Sequence, residues 1–224
     1  MRFINQRYGI EFPVQDGRVN VVCIENRQCF SNLLCDLWQQ VNGLNGETII
    51  SDVNYNMKFN KDIELIFNPF ALDCNDKKII SALYKEIKET AEDMLQDHTM
   101  IIKTHIIDYL DDLLEKNIYS TTFDTDFDIT GFLKLFGVRI EHSYDTLVDL
   151  LICYIKLKNR LCNIRYYIFV NLKQYLSDED LAYLYEAAEY ENINLILLED
   201  SQRGIISREN TIIIDNDLCL IILN

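Results

Sequence analysis

Four short runs of β-branched and aliphatic residues constrain this chain most. They are "VNVVCIE" at 19–25, "NIRYYIFVN" at 163–171, "INLILLED" at 193–200 and "TIIIDNDLCLIIL" at 211–223. The first three read as strands, the first and third of them buried, which suits a parallel sheet. The fourth reads as two strands around a turn at Asp215–Asn216. A further strand is predicted at 62–68, "DIELIFN". Between the first strand and this one, "SNLLCDLWQQV" at 31–41 sets Leu33, Leu34, Leu37, Trp38 and Val41 at helical spacing, with Ser31 as the helix start. Strand, helix and strand at this spacing predict a parallel crossover.

From Asn75 the pattern changes. Ile80, Leu83, Ile87, Ala91 and Met94 form one face of a long amphipathic helix, and Lys85–Glu89 and Lys88–Glu92 are i,i+4 pairs on the other. A second helix is predicted over 100–116, with Ile102, Ile106, Leu110, Leu113 and Leu114 as its stripe, and a third from Ser143 to about Arg160. The α/β pattern then returns, with a capping box of Ser177 and Asp180 opening "SDEDLAYLYEAAEYE". The fold class is therefore α/β with a mainly parallel sheet. The discontinuous α/β head covers 1–70 and 159–224, and an extended α-helical domain is inserted at 71–158. Only 7 Gly and 2 Pro leave little room for linkers.

Several function classes are set aside by what the sequence lacks. No apolar run approaches the roughly 18 residues of a membrane helix, and "MRFINQRYGIEF" lacks the apolar core of a signal peptide, so a cytoplasmic protein without a membrane partner is expected. Seven cysteines without a CxxC pair read as reduced, mostly buried thiols. A phosphate loop would follow the strand at 19–25, but "IENRQCFSN" holds no glycine, and Gly43 and Gly46 lack the Lys–Ser/Thr signature and read as a turn. His98, His105 and His142 read as structural or surface residues. A net charge of −15 argues, by itself, against nucleic acid as a partner.

Asp124, Asp126 and Asp128, in "FDTDFDITGFLKLF", alternate just before an apolar run. In extended backbone they share one face, where three carboxylates repel unless a cation joins them. An EF-hand is excluded, because Ile129 and Leu135 stand where Gly and Glu would be required. Two readings stay open: Asp128 caps a helix at 129–136 while the others face water, or a hard cation binds here with help from Asp111, Asp112 and Glu115.

"IENRQCFSNLL", "FLKLFGVRIE" at 132–141, "YIFVNLKQYLSDEDL" at 167–181, "INLILLED" and "IIIDNDLCLII" follow in an order and at distances that resemble one family. This is the short accessory spacer-acquisition protein of type II-A CRISPR loci, and the resemblance spans nearly the whole chain. It implies a degenerate P-loop-ATPase-like head with an inserted helical domain, no enzymatic activity, and a homotetrameric ring around double-stranded DNA that recognises DNA ends. It implies Ca²⁺ in the helical region, carried over onto Asp124, Asp126 and Asp128 with Asp111, Asp112 and Glu115 as helpers. It implies action in bacterial antiviral adaptive immunity, beside the integrase complex and the RNA-guided nuclease of the locus. An acidic ring needs a basic lining. Two rows of candidates are Lys156, Lys158, Arg160 and Arg165, and Lys77, Lys78, Lys85 and Lys88, each of which also reads as part of a solvated face. The competing readings are an ATPase-like scaffold for other proteins and a metal-dependent nuclease using the aspartates.

Overall fold

The computed structural model describes residues 2–14, 19–52, 55–141 and 144–223. In chain order the first elements are β1 (Arg2–Asn5), β2 (Ile10–Pro13), β3 (Val19–Ile24), α1 (Arg27–Val41), β4 (Thr48–Asp52), β5 (Tyr55–Asn56), α2 (Phe59–Asp62) and β6 (Ile63–Ile66). Three helices follow: α3 (Lys77–Met94), α4 (Gln96–Glu115) and α5 (Ile129–Leu135). The last are α6 (Leu147–Cys162), β7 (Tyr166–Val170), α7 (Asp178–Tyr190), β8 (Asn194–Glu199), β9 (Glu209–Ile214) and β10 (Leu220–Leu223).

The chain divides into two compact units, residues 1–74 with 142–224, and residues 75–141. The first holds a six-stranded sheet in the order β10-β9-β3-β8-β7-β6, parallel except for β10, which returns antiparallel on β9. The predicted strands are all present in it. β3 and β6 are parallel members of one sheet but not neighbours, since β8 and β7 lie between them. All six β3 residues are buried, as its two-sided apolar sequence requires.

Side chains alternate between the two faces of the sheet. Val22, Ile24, Ile168, Ile196, Leu198, Ile212 and Ile214 join Cys29, Leu33 and Leu37 of α1 in one core. The same core takes Phe3, Phe12 and Ile50 from a small antiparallel sheet, β2-β1-β4-β5, whose strands were not expected from the sequence. Two to five residues apiece, these strands are too short to show a period. α1 starts at Arg27 rather than at Ser31, because Asn26 is its cap: the Asn26 side chain accepts the Cys29 N–H at 3.0 Å.

Helix α6 belongs to the first unit, so the helical insertion is narrower than 71–158. Val148, Leu151, Ile152, Ile155 and Lys158 lie on its buried face. Thr146 caps α6, accepting the Asp149 N–H, while Ser143, expected to open it, lies outside the described residues along with His142. α7 carries the expected capping box, with Ser177 Oγ accepting the Asp180 N–H and the Asp180 carboxylate accepting the Ser177 N–H. In the second unit α3 meets α4 and α5. The Tyr84 hydroxyl donates to the Val138 carbonyl, and the Asn75 amide closes the unit by hydrogen bonds to both backbone groups of Ile140. The seven cysteines are thiols; three are buried, but Cys35 and Cys219 are exposed, on the outer side of α1 and in the turn before β10.

Candidate nucleic-acid and cation interfaces

The head first tests the phosphate-loop expectation. β3 passes into α1 through Glu25 and Asn26 alone. Glu25 N–H donates to the Ile214 carbonyl, and the Asn26 side chain occupies an N–H at the mouth of α1 while donating to the Asn216 carbonyl. A phosphate at this helix N-terminus would have to displace an internal cap and face a carboxylate.

The basic candidates separate sharply. Lys158 is a correction to the sequence reading, because it is 1% exposed. Its Nζ sits 3.7 Å from Glu64 Oε1 and 5.3 Å from the centre of the Tyr154 ring, whose hydroxyl donates to the same Glu64 oxygen. The helical period explains it, since Lys158 follows Leu151, Tyr154 and Ile155 by seven, four and three residues. Arg160 is exposed but is held by Glu191 through two contacts, at 2.6 and 3.2 Å. Arg165 is exposed and Lys156 half-buried. In the other unit Lys77 and Lys78 are exposed in the first turn of α3, and Lys85 and Lys88 each lie 3.8 Å from the expected carboxylate, Glu89 or Glu92.

The acidic candidates also separate. Asp128 caps α5, its two oxygens accepting the Thr130 and Gly131 N–H groups at 3.1 and 2.9 Å. Asp124 accepts the Asp126 N–H at 3.2 Å. Asp111 and Glu115, one turn apart on α4, line a cavity of about 480 Å³ together with Tyr119, Ser120, Thr121, Thr122, Phe123 and Thr125. Asp112 is exposed beside that cavity rather than lining it. Among the described residues no three His, Cys, Asp or Glu side chains form a ready-made metal cluster. The donors gathered at the cavity are carboxylate and hydroxyl oxygens without sulfur or nitrogen, which suits a hard cation such as Ca²⁺. Asp128, engaged in its cap, does not line this cavity.

Sequence reasoning missed a buried charged cluster in the head. Lys173 Nζ lies 2.8 and 2.9 Å from the two Glu209 oxygens, and the Tyr185 hydroxyl donates to Glu209 at 2.8 Å. Nearby, Glu199 is 1% exposed and accepts the Lys173 N–H at 3.1 Å. The available signal was a carboxylate ending an otherwise apolar strand, "NLILLE".

The family model described as CRISPR-associated protein (Cas_Csn2) matches residues 40–218. The CRISPR-associated protein Csn2 of Enterococcus faecalis is 21% identical over 222 residues, covering 92% of this chain and 93% of that protein. The crystal structure of Stu0660 of Streptococcus thermophilus matches with a TM-score of 0.62 at 12% identity, over 96% of this chain and 75% of that one, a likeness of fold. With well over half of its length matched by the family model, the chain belongs to the CRISPR-associated Cas_Csn2 family.

Proposed function

We propose that this protein is a non-catalytic, sequence-independent double-stranded DNA-binding ring that takes DNA ends during CRISPR spacer acquisition. It works as a homotetramer in the cytoplasm, beside the integrase complex and RNA-guided nuclease of its locus. The observation that carries the reading is the family match over 40–218.

Assembly is supported by α4. None of its 20 residues is buried, yet Met100, Ile101, Ile102, Tyr109 and Leu113 expose between 43% and 65% of their surface. Its C-terminal half carries Asp108, Asp111, Asp112 and Glu115, while in its N-terminal half Asp97 is balanced by Lys103. Two copies packed antiparallel along α4 bury the apolar residues and keep the two acidic ends apart, whereas a parallel pair stacks acid on acid.

A net charge of −15 must be offset before DNA approaches. Ca²⁺ held by Asp111 and Glu115, with the Asp124 and Asp126 segment beside them, reduces that charge and orders the 116–128 connection. The DNA-facing cations on this reading are Lys77 and Lys78, then Lys85 and Lys88, with Lys156 and Arg165 in the head. The absence of a phosphate-binding loop after β3 favours a role without ATP turnover.

Electrophoretic retention of linear against covalently closed duplex, with Ca²⁺ or a chelator, tests this. Linear DNA should be retained in Ca²⁺, equally for unrelated sequences, with log affinity falling linearly in log salt at roughly −0.9 per phosphate neutralised. Lys77→Glu with Lys78→Glu should flatten that slope while light scattering still reports a tetramer. Equal retention of closed circles overturns end recognition. No retention at all leaves the scaffold reading, and cutting in Mg²⁺ or Mn²⁺ leaves the nuclease.

A further inference from the structure

A second feature of the head is independent of DNA. Residues 200–208 leave β8, cross one face of the sheet and enter β9 without forming helix or strand. Residues 201–205 expose their outer side to solvent. On the inner side they wall a cavity of about 10 Å³, room for roughly one water, against Val21, Cys23, Glu199 and Thr211.

The segment is held by polar contacts rather than by packing. Lys173 Nζ donates to the Gly204 carbonyl at 2.6 Å, and Ile206 N–H donates to Glu209 Oε2 at 3.1 Å. Arg203 Nε lies 3.7 Å from Glu199 Oε2, and Arg203 Nη2 lies 3.9 Å from Asp200. Ile205 remains 56% exposed.

Glu199 is the weak point. It lies in register with Cys23 and shares that face of the sheet. Oε1 accepts the Lys173 N–H, but Oε2 has no hydrogen-bond partner among the described residues, and neither has Thr211 Oγ1 across the same cavity. The charged and titratable groups around it are Lys173 before α7, Arg203 and Asp200 on the segment, Cys23 on β3, Glu209 on β9 and Tyr185 on α7.

We propose that residues 200–208 form a proton-gated strap over Cys23, closed while the Glu199 carboxyl carries its proton and loosened when it ionises. Burial outweighs the Lys173 N–H, Arg203 and Lys173, and raises the Glu199 pKa from 4.5 to about 7. Ionised Glu199 is drawn to Arg203 on the strap, but the cost of its burial is the larger effect, so it gains stability by lifting the strap and meeting water, its other surroundings being buried sheet. Opening returns the carboxyl towards its ordinary value. The closed form therefore holds the proton more tightly, and opening is favoured as pH rises between the two values and levels off above the higher one. The Cys23 thiol, itself pushed up to about 11 chiefly by burial, becomes accessible when the strap lifts.

The test is the rate at which Cys23 in the native protein reacts with dithiodipyridine, a thiol reagent active at acid pH, resolved by peptide mass spectrometry. Taking the ratio of wild type to Glu199→Gln removes the reagent's own pH dependence. That ratio should rise about twentyfold between pH 5.5 and 7.5 and then flatten. A ratio that stays constant across the range overturns the proposal. Hydrogen exchange in the wild type alone keeps the test open should Glu199→Gln fail to fold. Protection at 201–206 should fall over the same interval relative to 195–198 of β8, and a fall shared equally by both overturns local gating.

Discussion

In β3 every one of six residues is buried; in α4, more than three times as long, none is. Both segments are rich in aliphatic side chains, so hydrophobicity alone does not separate them. The difference is the number of partners within the chain. β3 has β8 and β9 at its edges and a core packed against its face. α4 has α3. The head encloses a large apolar core and closes the Lys173–Glu209 and Lys158–Glu64 ion pairs, though Trp38, Phe67, Phe70 and most of β10 stay exposed, whereas no residue of α4 is buried. The core of the head is thus specified within the single chain, whereas α4 finds no such enclosure among the described residues.

The sharpest way to break this comparison is to remove one charge from each unit. Lys173→Met leaves Glu209, whose side chain is 0% exposed, without its partner, and should cost about 3–5 kcal/mol by urea denaturation. Lys85→Met, at a side chain 78% exposed, should change stability by no more than about 1 kcal/mol. Equal losses would erase the distinction between the units. Leucine truncations come next. Leu198→Ala, at a residue 0% exposed, should cost about 2–5 kcal/mol. Leu113→Ala, 49% exposed, should stay within about 0.5 kcal/mol in dilute protein yet lower the assembly state seen by light scattering at high concentration.

Gly46→Ala follows. An added Cβ would sit 2.4 Å from Gln40 Cγ and 2.6 Å from Asp36 Oδ1, disturbing the Gln40–Thr48 and Asp36–Glu47 hydrogen bonds that hold the entry to β4. We expect a loss of about 1–3 kcal/mol. The smallest effects are the two caps. Ser177→Ala and Asp128→Ala should each remove about 1 kcal/mol. The first should appear in denaturation of the head, the second as lost hydrogen-exchange protection confined to 129–136.

The parts legible in the sequence were those governed by local rules. The Ser177 box, the Asp128 cap, the i,i+4 pairs of α3 and the buried strands all declare themselves within a few residues. What stayed hidden depended on distant partners. The small antiparallel sheet is built from strands too short to carry a pattern, paired across 43 residues where Asn5 meets Thr48. Lys158 looked like a member of a basic row because "YIKLKNR" displays its charges together, although its spacing from Leu151 already placed it on the inner face. Of the acidic stretch, one turn of α4 gathers Asp111 and Glu115 at a common cavity, while Asp128 is occupied by the helix it starts. Spacing alone could not sort them, because the path of 116–128 decides which oxygens meet.

The central position of β3 has a consequence for how the protein is made. Asn20 and Asn210 are joined by a 3.0 Å side-chain hydrogen bond across 190 residues. On the ribosome, an apolar strand that emerges early waits until β8 and β9 emerge to obtain both neighbours. The β1–β2 hairpin and the α3–α4 pair can form from nearby sequence in the interval. Such non-local pairing is slow to establish, and unpaired apolar edges are prone to aggregate while they wait. Order of synthesis and order of assembly are therefore opposed in this molecule: the strand at the middle of the sheet is translated first and enclosed last.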